Sequence, residues 1–245
     1  MIPILIPLGT GSNSDNDELK ILLRSIEKNV SGLDKIYLIT TAKPDWLIDT
    51  DDIVIVPIRD RWTDNKDANL FDKVHTTIAK YNLDQFCFCA DDNAFMQPID
   101  LTAIPTLHNH RDLEWFMKNV GGKWTRRVKD TLLWAKSRGV ELPYNFECHA
   151  PQIFNGQAIL QGMQNVDYIA RPLTIYTAWR AVTDTWHNST DQRDFKNTYE
   201  IALYDDYKQD DLTSKPFIGY SDSTFLNGLR ERLFKVFGEK SHYER

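Results

Sequence analysis

The chain has 245 residues, 42% of them hydrophobic, and a formal charge of -6 at pH 7. That length and apolar content suit one large α/β domain with a real core and exclude disorder as the overall state. The acidic balance excludes a general nucleic-acid binder, which would hold phosphate backbones with clustered Lys and Arg.

Residues 1–9, MIPILIPLG, are too short and too uncharged for a secretion leader, and no apolar run approaches the ~20 residues that span a bilayer. The three cysteines are an odd count. Cys87 and Cys89, two apart on a strand, share one face instead of forming a scaffold bridge, and no partner Cys or His cluster suggests a soft metal site. A reduced, cytoplasmic protein without an integral membrane segment is expected.

The apolar run 2–8 predicts a first strand, closed by the turn-rich GTGSNS. Leu19, Leu22, Leu23, Ile26 and Val30 then recur at helical spacing, with Ser12, Ser14 and Asp15 as candidate caps. Strands follow at 36–40 and 53–56, and a helix carries Leu70, Val74, Ile78 and Tyr81 on one stripe. The next strand begins FCFC at Phe86.

Strands alternating with helices call for parallel pairing, so the first hundred residues predict an open, mainly parallel α/β sheet. Ligands of such sheets collect outside the carboxyl ends of the strands. There the segments 9–14, 40–43, 57–60 and 91–93 would converge on one crevice. Beyond Pro98 the pattern is more helical, with helices expected around Leu132, Leu133, Ala135 and Lys136, over 154–163 and over 226–237. The acidic run Asp205, Asp206, Asp210 and Asp211 reads as solvated surface. No linker or repeat separates a second domain, so residues 1–245 are read as one domain, with a ligand-binding α/β half at 1–100.

The strongest constellation is Asp91-Asp92-Asn93, at the end of an apolar strand. Paired carboxylates there suit Mg²⁺ or Mn²⁺, which prefer oxygen ligands, and a metal at that place would bridge linked phosphates. The alternative is a plain turn, since Asp and Asn favour strand ends. Gly9, Gly11 and Ser12 lie where a first strand turns into a helix, so their backbone N–H groups could face a nucleotide. GTGS is neither a Walker loop nor a dinucleotide fingerprint. Lys123, Arg126 and Arg127 follow Gly121-Gly122 and form either a mobile phosphate clamp or a solvated turn. Trp179, Trp186 and Tyr176 either stack on sugar or fill the core.

Residues 15–40, DNDELKILLRSIEKNVSGLDKIYLIT, with PDWL at 44–47, resemble a block of the Stealth family of sugar-phosphate transferases, which act in bacterial capsule synthesis and lysosomal enzyme tagging. FCFCADDNAF looks like the family's apolar strand with paired aspartates, ECHAP at 147–151 like its His-x-Pro motif, and YSDSTF with FGEKSHYE like its last block. The likeness implies a GT-A-like fold, an acceptor-side half at 101–245, and transfer of a sugar 1-phosphate from a nucleotide-sugar donor to a glycan hydroxyl in surface polysaccharide synthesis. It also implies peripheral association with membrane-bound glycan-assembly proteins as the form of any membrane contact.

By the same resemblance Arg24 meets donor phosphate, Asp91 and Asp92 manage the metal and the donor, and His149 is a candidate general base, so that His149, Asp92 and Arg24 are the catalytic residues. Arg126 and Arg127, read from the basic cluster, join Arg24 and Asp91 in meeting the donor. An imidazole near pKa 6.5 suits the task of a base, and Ala150-Pro151 favours an extended, fixed backbone around it. The ordinary roles are a salt bridge of Arg24 with Glu27 or Asp17, a structural His149, and Asp222 as a helix cap. One element departs from the family, whose opening strand leads into Trp-Val-Asp/Asn-Gly, whereas this chain has IPLGTGSNSD. The departure keeps two alternatives open: transfer of the sugar alone, and an inactive sugar- or nucleotide-binding module.

Overall fold

The computed structural model describes residues 1–9, 14–109, 111, 113–199 and 211–245. Gly11, Ser12, Asp205, Asp206 and Asp210 lie outside the described residues.

β1 (Ile2–Pro7) is buried along its whole length, as a strand with helices on both faces must be. α1 (Asp17–Asn29), the short β2 (Val30–Ser31), β3 (Leu33–Thr40) and β4 (Ile53–Pro57) follow, then α2 (Lys66–Tyr81) and β5 (Gln85–Phe88). β6 (Asn93–Phe95) and two short strands, β7 (Ile99–Asp100) and β8 (Leu107–His108), lead to α3 (Leu113–Asn119) and α4 (Lys123–Ser137). β9 (Gln152–Asn155), α5 (Gly156–Met163) and α6 (Ile175–Thr183) come next. The chain ends with β10 (Thr190–Asp191), β11 (Lys196–Tyr199), β12 (Phe217–Tyr220), α7 (Asp222–Thr224) and α8 (Arg230–Val236).

The main sheet has the order β4-β3-β1-β5-β9. Its first four strands are parallel, and β9 runs antiparallel to β5 with Phe154 opposite Phe86. The architecture is therefore α/β with a mixed, mainly parallel main sheet, as the alternation of elements predicts.

Period-two alternation sorts the strands between two cores. Leu5, Tyr37, Val56, Phe86 and Phe88 pack on Phe71, Val74 and Ile78 of α2 and on Tyr176 and Trp179 of α6. Ile4, Ile6, Ile36, Leu38, Cys87 and Cys89 pack on Leu19, Leu22, Leu23 and Ile26 of α1. Each such side chain contributes roughly 1.5–3 kcal/mol of burial. Cys87 and Cys89 share one face as expected, and both are free thiols.

A second sheet, β11-β12-β6, covers the outer side of α1, where Ile21 meets Ala94, Ile218 and Tyr220. The Ser25 hydroxyl accepts the N–H of Phe95 at 3.0 Å and the Asn29 amide donates to the Phe95 carbonyl at 2.6 Å, which ties β6 to the helix. α1 is thus enclosed on both sides.

Three local expectations are corrected. Residues 154–163 begin as strand, because Phe154 pairs across β5, and the Asn155 side chain caps the helix by accepting from the N–H of Ala158 at 2.8 Å. The last helix is broken by Asn227 and by Gly228, whose φ of 116° suits glycine. Lys123, Arg126 and Arg127 occupy the start of α4, not a loop. Among the described residues no helix is long and apolar enough to cross a membrane.

Candidate functional site

The crossover from β1 through α1 to β3 runs to one side of the sheet, and β5 pairs with β1 on the other. The carboxyl ends of β1 and β5 therefore flank a topological switch point, the place where open α/β sheets leave room for a ligand. The Cys89 N–H still donates to the Leu5 carbonyl at 3.1 Å. The chain then turns, with the Asn93 N–H donating to the Ala90 carbonyl at 3.3 Å, and enters β6. Asp91 and Asp92 occupy that turn.

Both aspartates are half-buried, and among the described residues neither makes a salt bridge. Burial pushes the Asp91 carboxyl up to about 7, reinforced by the charges of Asp92, Glu18 and Asp222. Burial likewise pushes Asp92 up to about 6, with Asp222 and Glu18 adding to the effect and the Lys196 ammonium opposing it. Four carboxylates from α1, the β5 turn and α7 thus act on one region. Glu18 is oriented by the Ser14 hydroxyl, which donates to it at 2.5 Å.

Lys196 of β11 is buried. Its ammonium donates to the carbonyls of Cys148 and His149, each at 2.5 Å. Gly219 makes room for it: a Cβ there would stand 2.6 Å from the Lys196 Cε. The Asn93 amide also donates to the His149 carbonyl, at 3.1 Å, and to Asp92 Oδ1, at 3.1 Å.

These contacts hold His149 at a φ of 45°, a left-handed conformation costly for a residue with a side chain. The His149 ring is exposed, 6.0 Å from the Trp124 ring and 6.1 Å from that of Tyr176. Two expectations are corrected here. The backbone at His149 is left-handed and not extended. Desolvation by surrounding protein, followed by the Lys196 ammonium, lowers the imidazole from 6.5 to about 4, which leaves it neutral at pH 7 and a weaker proton acceptor than a free imidazole. A neutral imidazole on a fixed backbone can accept a proton from a hydroxyl.

Two buried atoms beside the acids lack a hydrogen-bond partner: Asn93 Oδ1 and the Tyr220 hydroxyl. The Tyr220 N–H donates to the Asp92 carbonyl at 3.2 Å, which fixes β12 against the aspartate turn. Orphaned buried polar atoms ordinarily find water or ligand. Near the ends of β1 and β4, Lys73 bridges the Leu8 carbonyl at 2.9 Å and Asp60 at 2.8 Å. A groove of about 520 Å³ lined by Ser14, Asp15, Asp17, Lys20, Leu226, Arg230 and Glu231 opens at the start of α1.

Several expected site residues are engaged elsewhere. The Arg24 Nε and Nη2 donate to Glu244 at 2.7 and 2.6 Å, and its Nη1 donates to the Phe237 carbonyl at 2.8 Å. The partner is neither Glu27 nor Asp17. Arg24 is 9% exposed and fastens the C-terminus to α1, so its guanidinium has no fork left for a phosphate. Arg127 pairs with Asp67 at the start of α2, whereas Arg126 is exposed. Gly9 is exposed and a Cβ there would meet nothing within 4 Å, so no steric demand calls for glycine.

The residue at the start of α1 is Asn16, whose side chain makes no cap hydrogen bond; the Ser14 carbonyl accepts the Asp17 N–H at 3.1 Å. Ser221, not Asp222, caps α7 by accepting from the Thr224 N–H at 3.3 Å. Trp179 and Tyr176 are core residues, at 0% and 2% exposure, and Trp186 is half-buried. Glu18, Lys196, Tyr220 and Trp124 were missed by sequence reasoning. A glycine in a strand, Gly219, was the one local signal that a bulky group passes close by.

Among the described residues no group of three or more His, Cys, Asp or Glu side chains is arranged to hold a metal ion. Mg²⁺ is nonetheless ordinarily held by one or two carboxylates, with phosphate and water oxygens completing the shell. The Asp91 and Asp92 oxygens fit that chemistry. Comparison of the chain with protein-family models and with curated proteins found no match.

Proposed function

We propose that the chain is a GT-A-like transferase that uses a nucleotide-sugar donor, requires Mg²⁺ or Mn²⁺, and delivers a sugar 1-phosphate to a glycan hydroxyl. The observation that carries this reading is the carboxylate pair at the switch point, its ionisation opposed by burial and by two further acids. Bound at Asp91 and Asp92, a hard divalent cation would offset that repulsion and supply positive charge for the linked phosphates of a donor at the carboxyl ends of β1 and β5.

Asp91 and Asp92 would hold the metal, which supplies charge neutralisation for the phosphates as the bond to the leaving group breaks. His149 accepts the proton of the acceptor hydroxyl on its imidazole. Lys196 and Asn93 keep His149 in position through its carbonyl.

Transfer of the sugar alone is the second reading, favoured by the opening loop IPLGTGSNSD, which departs from the sugar-phosphate transferase pattern. Product analysis separates the two. Phosphoryl transfer releases a nucleoside monophosphate and glycosyl transfer a nucleoside diphosphate.

The first test is a thermal-shift screen of uridine, cytidine and guanosine nucleotide sugars with and without Mn²⁺, because a ligand of the folded state stabilises it by mass action. Stabilisation by one donor that depends on Mn²⁺ and disappears in Asp92→Asn is expected. A shift unaffected by Mn²⁺ or by the substitution would remove the aspartates from the site. Stabilisation without turnover across acceptors would reduce the protein to a binding module.

A further inference from the structure

Trp124 is a partly exposed aromatic residue beside the candidate base, its ring centroid 6.0 Å from that of His149 and tilted 43° to it. It is 39% exposed, whereas Tyr176 on the other side of His149 is 2% exposed. Trp124 lies in the first turn of α4, beside the buried stripe that Thr125 and Val128 form at 4% and 0% exposure. Exposed apolar side chains are common on this chain, among them Trp115 at 51% and Leu133 at 57%; what distinguishes Trp124 is its ring contact with the candidate base.

We propose that Trp124 is the acceptor platform, on which a pyranose ring of the glycan stacks with its C–H face against the indole and its hydroxyl toward His149. The inference rests on reading His149 as the base of a transfer to a glycan hydroxyl. The indole suits a sugar because its electron-rich face attracts polarised C–H groups while excluding water on one side only. Its ring centroid lies 6.0 Å from that of His149, which lets one sugar touch both rings. The substrate class is a glycan recognised through at least one flat apolar sugar face.

The test is saturation-transfer NMR on the full chain with a panel of hexose- and N-acetylhexosamine-containing disaccharides, comparing the wild type with Trp124→Ala and Trp124→Phe. At least one disaccharide is expected to bind the wild type, to lose affinity about tenfold in Trp124→Ala, and to recover most of it in Trp124→Phe, since a lost stacking face corresponds to about 1.4 kcal/mol. If Trp124→Ala lowers the melting temperature, Trp124→Leu repeats the measurement with apolar bulk and no π face.

Equal binding by wild type and Trp124→Ala, or no binding of any disaccharide by the wild type, overturns the proposal. The donor reading is measured apart, by the Mn²⁺-dependent thermal shift of the wild type with nucleotide sugars. Saccharide binding that needs Trp124 while no nucleotide sugar shifts the melting temperature would leave the platform standing and remove the transferase.

Discussion

Replacing Asp91 by Asn should stabilise the metal-free protein at pH 8 while removing its response to Mn²⁺. The folded state raises this carboxyl from an ordinary value of 3.8 to about 7. At about 1.36 kcal/mol per tenfold change in proton affinity, full ionisation in the folded state costs of order 4 kcal/mol. Part of that is lost hydration, which a neutral amide also suffers in smaller measure, and part is repulsion by Asp92, Glu18 and Asp222. Water reaching the half-open side chain screens the remainder, so a gain of about 1–3 kcal/mol is expected. For a chain of this size that is a rise in Tm of roughly 2–4 °C per kcal/mol.

The pH dependence gives the sharper test. A folded-state pKa above the unfolded value means that the native state binds more protons between those values. The contribution of Asp91 to wild-type stability therefore falls as pH rises from about 4 through about 7. Asn has no such titration, so the variant's advantage should be small near pH 4, grow through that window and level off above it. Urea denaturation in EDTA at pH 4.5, 6 and 8 measures it. An advantage independent of pH, or a variant less stable than wild type at pH 8, would refute the reasoning, the latter by showing that the carboxylate serves the fold as an acceptor.

Three other substitutions probe the surrounding structure. Arg24→Ala leaves the Glu244 carboxylate, with a side chain 4% exposed, without its partner and should cost about 3–5 kcal/mol in urea denaturation; a weaker affinity for nucleotide sugar at unchanged stability would instead restore Arg24 to the donor site. Lys196→Met removes the donor to two carbonyls and should cost about 1–3 kcal/mol. It should also lower kcat far more than donor affinity, because His149 loses its tether, and equal turnover would end the positioning role. For His242, burial disfavours the imidazolium, but hydrogen bonds to Glu27 and Asp52 outweigh it and raise the pKa. Its contribution is complete below pH 6.5 and is lost as pH rises through the folded value. With the side chain half exposed, His242→Ala should cost less than about 1 kcal/mol at pH 6 and nothing at pH 9; a pH-independent loss would assign it to packing.

β1, α1, β3, β4, α2 and β5 follow in order from local periodicity, whereas the short β2, β6 and β7 carry no such signal. Apolar residues at helical spacing on α1 and α2 and short apolar runs between them determine crossover connections, hence parallel strands whose carboxyl ends share one edge. Asp91 and Asp92 could be placed on that edge before any coordinates, since a polar turn after Phe86–Cys89 has nowhere else to go. Tertiary structure decided the rest, because it depends on which distant residues share a burial site. Whether the aromatics of the second half were core or surface turned on helix orientation, which buries Trp179 and exposes Trp124. Arg24 on the edge of an apolar stripe suits a phosphate or a carboxylate equally well by its chemistry, and only the return of the C-terminus across α1 brought Glu244 to it. Lys196 and Gly219 sit far from residue 149 in sequence, and their pairing under His149 arises when β11 and β12 dock on β6. Periodicity is a property of neighbours along the chain, whereas charge pairing and exposure are properties of neighbours in space.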